Sequence, residues 1–180
     1  MLFRSVSQSR YGGSCREEYT VIAGKLGQGK TWAETIIGAY CMMQDLKVLQ
    51  FVTEMSTHNM LDRYEAILFK MTYGGFNYND FKHGQLPSVI EEDYFDFLDN
   101  TLPNMTPLIL RDATTVMGMQ ADIEAEKPDV VFIDGLYALA DDRGAREGWA
   151  RVTNISRDIK ALNKEIAELK KQIEELKGGK

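Results

Sequence analysis

A glycine-rich segment between two regular elements most constrains the fold of this chain. Gly24–Thr31 has the spacing G-x-x-x-x-G-K-T. The apolar run Tyr19–Ala23 before it predicts a β-strand, and Trp32–Met43 after it is compatible with a helix. A strand, a glycine loop and a helix in this order are typical of a Walker A phosphate-binding loop. The segment therefore predicts an α/β fold with a nucleoside triphosphate site.

The residue types of this loop match the needs of a triphosphate. Glycines let successive backbone N–H groups converge on phosphate oxygens. Lys30 supplies a compact positive charge, and the Thr31 hydroxyl is a hard oxygen ligand for Mg²⁺. The predicted nucleotide-binding residues are Gly24, Lys25, Leu26, Gly27, Gln28, Gly29, Lys30, Thr31 and Trp32. ATP and Mg²⁺ are the predicted ligands, although no residue is assigned to the base.

Three further apolar runs predict β-strands, and helical patterns separate them. The strand candidates are Lys47–Thr53, Pro107–Asp112 and Asp129–Asp134. The helix candidates are a segment from Ser56 or Thr57 to Gly74, Ser88–Asn100 and Met117–Glu126, with an irregular insertion over Phe76–Pro87. Strands that alternate with helices predict an α/β fold with a mostly parallel sheet flanked by helices.

Two carboxylates stand at the ends of predicted strands. Asp134 closes an almost entirely apolar run, which is where a Walker B carboxylate orders the water around a bound metal. Glu54 ends another strand at the same edge of the inferred sheet and is the candidate base for an attacking water. Alternatively, Asp134 caps the following turn and Glu54 starts a helix at the surface. Lys30, Glu54 and Asp134 form the predicted catalytic set.

Composition limits the partners of this chain. It has 180 residues, a hydrophobic fraction of 44% and a formal net charge of −6. This length supports one substantial core without disulfides, and the acidic balance argues against nonspecific binding of nucleic acid by the whole surface. Cys15 and Cys41 form no metal-ligand cluster, and no segment approaches membrane-spanning length. The expectation is a cytoplasmic protein with no membrane contact.

The C-terminal region has a heptad pattern with Glu and Lys around its apolar positions. These positions are Ile166, Leu169, Ile173 and Leu176, preceded in the same phase by Val152, Ile155, Ile159 and Leu162. One uninterrupted helix is therefore predicted from the core into the tail. The tail either pairs with a second copy of the chain or packs within it. It resembles a designed coiled-coil segment, which divides the chain into a core domain, 1–162, and an engineered tail, 163–180.

Several segments together resemble the RecA-like motor domain of DnaB-type replicative helicases, in a phage version. They are Val21–Thr31, Val48–Ser56 with Arg63 and Tyr64, Asp129–Leu139 and Ile155–Leu162. The element Glu54-Met55-Ser56 discriminates better than the phosphate loop, which many ATPases share. The resemblance implies a RecA-like P-loop NTPase core with a long C-terminal helix.

The resemblance also implies roles for individual residues. Lys30 and Thr31 would bind phosphate and Mg²⁺, Glu54 would be the catalytic glutamate, and Asp134 would hold the metal through water. Loops after the Asp134 strand contact single-stranded DNA in that family, which assigns Arg143 and Arg146 to DNA. The alternative is a solvated loop, because acidic neighbours cancel much of the local field.

Departures from the family pattern predict a weak enzyme. The further strands, the second DNA-contacting loop and the arginine finger of such helicases are not recognisable after Leu162. The expectation is a truncated motor fragment that binds Mg²⁺-nucleotide and hydrolyses it poorly, because the arginine finger is worth about 10³ to 10⁵ in rate. Two other hypotheses stay open: a nonenzymatic self-assembling scaffold, and another RecA-like ATPase of the recombinase or clock type.

Overall fold

The structure, a computed structural model, describes residues 20–25, 27–75, 77–112, 115–140 and 148–178. Its strands are β1 (Val48–Val52), β2 (Leu108–Asp112) and β3 (Val130–Asp134). Its helices are α1 (Lys30–Met42), α2 (Thr57–Thr72), α3 (Tyr78–Lys82), α4 (Ser88–Asp96), α5 (Val116–Glu126) and α6 (Gly148–Gly178). The predicted α/β class is confirmed. The irregular insertion expected over Phe76–Pro87 contains the short helix α3, which the Asn77 side chain caps.

The three strands form one parallel sheet in the order β2-β1-β3. Val48 of β1 aligns with Leu108 of β2 on one side and with Val130 of β3 on the other. All five residues of β1 are buried, as expected for a central strand with helices on both faces. Three of the four predicted strands are thus confirmed, and their carboxyl ends meet at one edge of the sheet.

Alternating side chains of the sheet build two apolar layers. Val48 and Val52 face α1 and α2 in a core that includes Met60 and Phe69. Leu49 and Phe51 of β1 face the opposite layer. In that layer α5 and α6 contribute Val116, Met119, Ile155, Ile159 and Leu162. This period of two follows from strand geometry. Because of this alternation, α1 and α6 lie on opposite faces of the sheet. The edge that carries Asp134 lies between them.

The strand predicted for Tyr19–Ala23 is wrong where it can be compared. Tyr19 lies outside the described residues, and Thr20–Ala23 forms no strand. This segment and β3 both line a cavity of about 640 Å³, and among the described residues no ladder joins their backbones. Val21 is 58% exposed. Within the described ranges β3 pairs on one side alone, with β1.

Helix α6 runs without interruption through 31 residues, as the heptad phase predicts. Its first half covers the sheet, with Ile155, Ile159 and Leu162 buried. Farther along, Leu169 is 46% exposed and Leu176 is 79% exposed. The upstream apolar stripe is therefore used within the chain. None of the described helices, α6 included, carries an apolar stretch that could cross a bilayer.

Candidate nucleotide site

The glycine loop enters α1 through two residues in the left-handed region. Gly27 has φ 77° and Gly29 has φ 78°, conformations that side chains disfavour, and a Cβ at either position would meet open space. Lys25 N–H donates to Gln28 Oε1 at 3.0 Å, and Lys30 Nζ donates to the Lys25 carbonyl at 3.2 Å. The loop is therefore held by its own side chains, with Leu26 outside the described residues.

The N-terminus of α1 presents a positive end to this loop. Gly29 occupies the N-cap position and provides no capping side chain. The first turn of α1 carries no acidic residue, whereas Lys30 lies at its first position. Free N–H groups at a helix start attract anions, and the helix dipole reinforces them. This end of α1 is therefore suited to a phosphate group.

A hydrogen bond connects the glycine loop to the end of β3. Thr31 Oγ1 donates to Asp134 Oδ1 at 3.1 Å. Asp134 is 3% exposed, and its Oδ2 is buried without a hydrogen-bond partner among the described residues. A buried carboxylate oxygen without a partner is unfavourable unless something else occupies its lone pairs. The residues predicted to hold the metal thus lie together.

These oxygen donors fit Mg²⁺. The ion prefers hard oxygen ligands, retains several waters and is commonly shared between one or two protein oxygens and substrate phosphates. The Thr31 hydroxyl and the unpartnered Asp134 oxygen provide such donors. The described residues contain no cluster of three or more His, Cys, Asp or Glu that could hold a metal by itself. The fit therefore depends on phosphate oxygens as additional ligands.

The electrostatics around Asp134 favour a bound cation. Burial raises the pKa of its carboxyl, and the nearby negative charge of Glu54 raises it further. The hydrogen bond from Thr31 lowers the same pKa, as do the positive charges of Arg63 and Lys30. Negative charge has therefore accumulated in a partly dehydrated place, where a divalent ion would gain more than in water.

Glu54 reaches this edge from the end of β1 and lies against Gly135. A Cβ at Gly135 would be 2.6 Å from Glu54 Cγ and 2.7 Å from Glu54 Oε1. Gly135 also has φ 81°, which few other residues adopt. Thr53 Oγ1 donates to the backbone carbonyls of Asp134 and Gly135. The two strand ends are thereby joined, and Gly135 leaves space for the glutamate.

A tyrosine that follows β3 lies near Glu54. Tyr137 is part of the helical turn Leu136–Ala138. The nearby Glu54 carboxylate is the main reason why the pKa of the Tyr137 phenol is raised. The Arg151 guanidinium of α6 donates to the Tyr137 carbonyl. The turn is therefore connected to α6.

Glu34 brings a third carboxyl group to the site. It lies one turn after Lys30 on α1, and its Oε2 is buried without a hydrogen-bond partner among the described residues. Burial, and after it the charges of Asp134 and Glu54, raise the pKa of Glu34 to about 8, although Lys30 opposes this shift. At neutral pH this carboxyl is mostly protonated. Glu34 therefore adds no further negative charge to the site at neutral pH.

The Trp32 side chain packs against Arg63 and Tyr78. The Arg63 guanidinium lies 5.0 Å from its ring centroid, and the Tyr78 ring packs edge-on at 4.8 Å. Both contacts are favourable, the first as a cation–π interaction. The part of Trp32 that can serve a phosphate is therefore its backbone N–H in the first turn of α1.

The structure brings together most of the predicted site and adds residues that were missed. Lys30, Thr31, Glu54 and Asp134 share one edge of the sheet, whereas Arg143 and Arg146 lie outside the described residues. Sequence reasoning assigned no role to Glu34, Gly135 or Tyr137. The helical spacing of four between Lys30 and Glu34 was an available signal. Tyr137 had none beyond its closeness to Asp134 in sequence.

Comparison with known proteins identifies the family. A parallel sheet between helices, with the glycine loop and a strand-end aspartate in hydrogen-bond contact, is consistent with a RecA-like α/β domain. The model of the DnaB-like helicase C terminal domain matches residues 4–168. The chain belongs to this family. The match favours the helicase family over a recombinase or clock-type ATPase. No curated protein matches the chain significantly.

Proposed function

We propose that this chain is the nucleotide-binding domain of a DnaB-like helicase and binds ATP with Mg²⁺ at the glycine loop. The observation that carries the proposal is the 3.1 Å hydrogen bond between Thr31 Oγ1 and Asp134 Oδ1. It joins a phosphate-binding loop to a buried carboxylate that has one oxygen without a partner among the described residues. A Thr hydroxyl and a carboxylate at this spacing suit a metal bound to phosphates.

Several groups of the chain would bind the triphosphate. Backbone N–H groups of residues 24–32 and the N-terminus of α1 surround the phosphates, and Lys30 supplies the charge for the terminal ones. For this, Lys30 exchanges its contact with the Lys25 carbonyl for phosphate oxygens. Bound Mg²⁺ would neutralise developing charge on the phosphates, held by Thr31 and, through water, by Asp134.

Hydrolysis would use Glu54 as the general base. Its carboxylate takes a proton from water, the water oxygen bonds to the terminal phosphorus, and the bond from that phosphorus to the ADP oxygen breaks. The products are ADP and inorganic phosphate. We expect slow turnover, since an arginine from a neighbouring subunit supplies about 10³ to 10⁵ of the rate in related systems.

The proposal also includes the polymer partner of the domain and its location. Single-stranded DNA is a partner in the family, and we propose that this chain binds it weakly or not at all, with Arg143 and Arg146 as the candidate phosphate contacts. The proposed location is the cytoplasm. The phage origin, the truncation and the designed tail stay predictions, because the family match to residues 4–168 addresses none of them.

Binding of labelled ATP with and without Mg²⁺ tests the proposal. We expect Mg²⁺-dependent binding that Lys30→Ala removes. Lys70→Ala is the matched control, since Lys70 is an exposed lysine in the last turn of α2. If the parent chain binds no ATP at millimolar nucleotide while its circular dichroism shows a folded protein, the proposed function is wrong.

A second candidate function rests on the exposed side chains of α6. Leu169 is 46% exposed and Leu176 is 79% exposed on one long helix, which would let two chains associate through this helix. A self-assembling scaffold would use this surface. Sedimentation velocity over a hundredfold concentration range decides the matter. A monomer at every concentration excludes the scaffold, whereas a dimer that Leu169→Ser with Leu176→Ser dissociates supports it.

A further inference from the structure

We propose that Gln28 is a positioning residue of the phosphate-binding loop, acting through its side-chain oxygen on the backbone of Lys25. The inference deepens the proposed function and rests on it. Position 28 is one of the four that the motif G-x-x-x-x-G-K-T leaves open, so the motif itself assigns it no role. Gln28 holds the loop in a shape that receives phosphate oxygens, and it thereby sets the affinity of the site.

The first argument is that Gln28 is joined to Lys25 by both its backbone and its side chain. Gln28 N–H donates to the Lys25 carbonyl at 3.3 Å, which closes a turn of four residues. In the opposite direction, Lys25 N–H donates to Gln28 Oε1 at 3.0 Å. We call these two hydrogen bonds the loop clamp. They occupy both polar backbone groups of Lys25, so the turn is restrained more strongly than by its backbone bond alone.

The second argument is that the clamp holds a backbone suited to anions. Gly27 and Gly29 have φ values of 77° and 78°, whereas Gln28 between them has a negative φ. Residues that alternate in hand in this way turn successive N–H groups to one side, where they form a concave anion site. Glycines lose much conformational freedom when such a shape is fixed. Because the clamp fixes part of it in advance, phosphate binding costs less.

The third argument is that the clamp extends to the lysine of the motif. Lys30 Nζ donates at 3.2 Å to the same Lys25 carbonyl that accepts from Gln28 N–H. A Cβ at Gly24 would lie 3.4 Å from Gln28 Oε1 and 3.5 Å from Lys30 Cγ, so both side chains lie against the start of the loop. An ammonium group has three N–H donors. Lys30 is therefore kept beside the loop with donors left for phosphate.

Gln28→Met tests this role because it removes the acceptor oxygen and keeps a long side chain. One neutral hydrogen bond corresponds to a factor of about three to ten in affinity. We expect the dissociation constant of Mg²⁺-ATP to rise by this factor, with kcat at saturating ATP unchanged within about twofold. Inorganic tripolyphosphate, which has no base or sugar, should lose affinity by the same factor. Gln44→Met, at an exposed glutamine after α1, is the control.

A second measurement needs no nucleotide. In the chain labelled with ¹⁵N at lysine, the Lys25 amide resonance is identified by its loss in Lys25→Arg. We expect this amide proton to exchange with solvent about threefold to tenfold faster in Gln28→Met than in the parent chain. The amide of Lys70, in the last turn of α2, should exchange equally in both. The urea midpoint of Gln28→Met should match that of the parent chain.

The two proposals fail in different ways. Absence of ATP binding by the parent chain overturns the nucleotide site, and the positioning role with it. Normal ATP binding with an equal dissociation constant in Gln28→Met overturns the positioning role alone, and so does an unchanged exchange rate of the Lys25 amide. A loss of affinity for ATP but not for tripolyphosphate also overturns it, since Gln28 would then act on the nucleoside. A urea midpoint that falls together with ATP affinity would show a general loss of stability instead.

Discussion

Thr31 Oγ1 and Asp134 Oδ1 are 3.1 Å apart although their residues are 103 positions apart in the chain. The contact unites a hydroxyl from the start of α1 with a carboxylate from the end of β3. Parallel strands bring both to one edge, where ligands of α/β proteins collect.

Replacing Thr31 by Ala should remove the dependence of ATP binding on Mg²⁺. The Thr31 hydroxyl lies 3.1 Å from Asp134 Oδ1, so its loss should weaken Mg²⁺-ATP binding by at least about tenfold. Titration of labelled ATP with and without Mg²⁺ measures the change. Thr31→Ser, which keeps the hydroxyl, should retain the metal dependence. Equal affinities for the parent chain and Thr31→Ala would exclude Thr31 as a ligand.

Gly135→Ala should displace Glu54 as well as strain the backbone. The added Cβ would lie 2.6 Å from Glu54 Cγ, at a φ of 81°. A left-handed conformation costs about 1–2 kcal/mol for a residue with a side chain. Gly74→Ala is a matched control, because Gly74 has φ 113° and open space around its Cβ position. Chemical denaturation should show a lower free energy of unfolding for both variants. A fall in kcat should occur in Gly135→Ala alone.

Tyr64→Phe should destabilise the core below α1. The Tyr64 hydroxyl donates to Gln50 Oε1 at 2.5 Å, and both side chains are fully buried. Its removal leaves the Gln50 oxygen without this donor, at a cost of about 1–3 kcal/mol. Urea unfolding measures the change in the free energy of unfolding. Tyr40→Phe, at a tyrosine 52% exposed, should change it by less than about 0.5 kcal/mol.

Glu34→Gln should make the domain more stable at alkaline pH. The folded-state pKa of Glu34 is about 8, whereas a glutamate in the unfolded chain has a pKa of 4.5. The neutral carboxyl therefore contributes stability that is complete below pH 4.5 and is lost as the pH rises towards 8, since the folded state binds the extra proton there.

The glutamine variant stays neutral across this window. The difference in unfolding free energy should be small at pH 5 and should reach the order of 3 kcal/mol in favour of Glu34→Gln above pH 8. Urea titrations at several pH values measure it. A difference that stays constant with pH would show that Glu34 ionises freely in the folded chain.

Much of this fold could be predicted because the signals for its strands and helices lie in short stretches of the sequence. Apolar runs specified all three strands of the sheet within a residue or two, and Ser56 caps α2 by accepting from Asn59 N–H at 3.2 Å. The expected strand at Thr20–Ala23 failed for a nonlocal reason. A strand requires a partner with free backbone groups, and nothing in a short apolar run reveals whether that partner is adjacent.

The candidate site likewise contains residues that a local sequence pattern predicts and residues that it does not predict. Lys30 and Thr31 come from a motif whose spacing is its own signal, and Asp134 comes from its place at a strand end. Glu34 and Tyr137 depend on which elements meet across the sheet. Burial creates the neutral carboxyl of Glu34, and the turn after β3 brings Tyr137 to Glu54. Such relationships arise from tertiary packing, so a pattern along the chain does not contain them.

Helix α6 connects the candidate nucleotide site to a distant part of the surface. A helix of 31 residues is rigid over about 46 Å at 1.5 Å per residue. One part of it touches the turn of Tyr137 through Arg151, and another part carries the exposed Leu176. A force applied near Leu176 would be transmitted along the helix to the turn of Tyr137. Whatever holds the far part of α6 would therefore act on the edge of the sheet that carries Asp134.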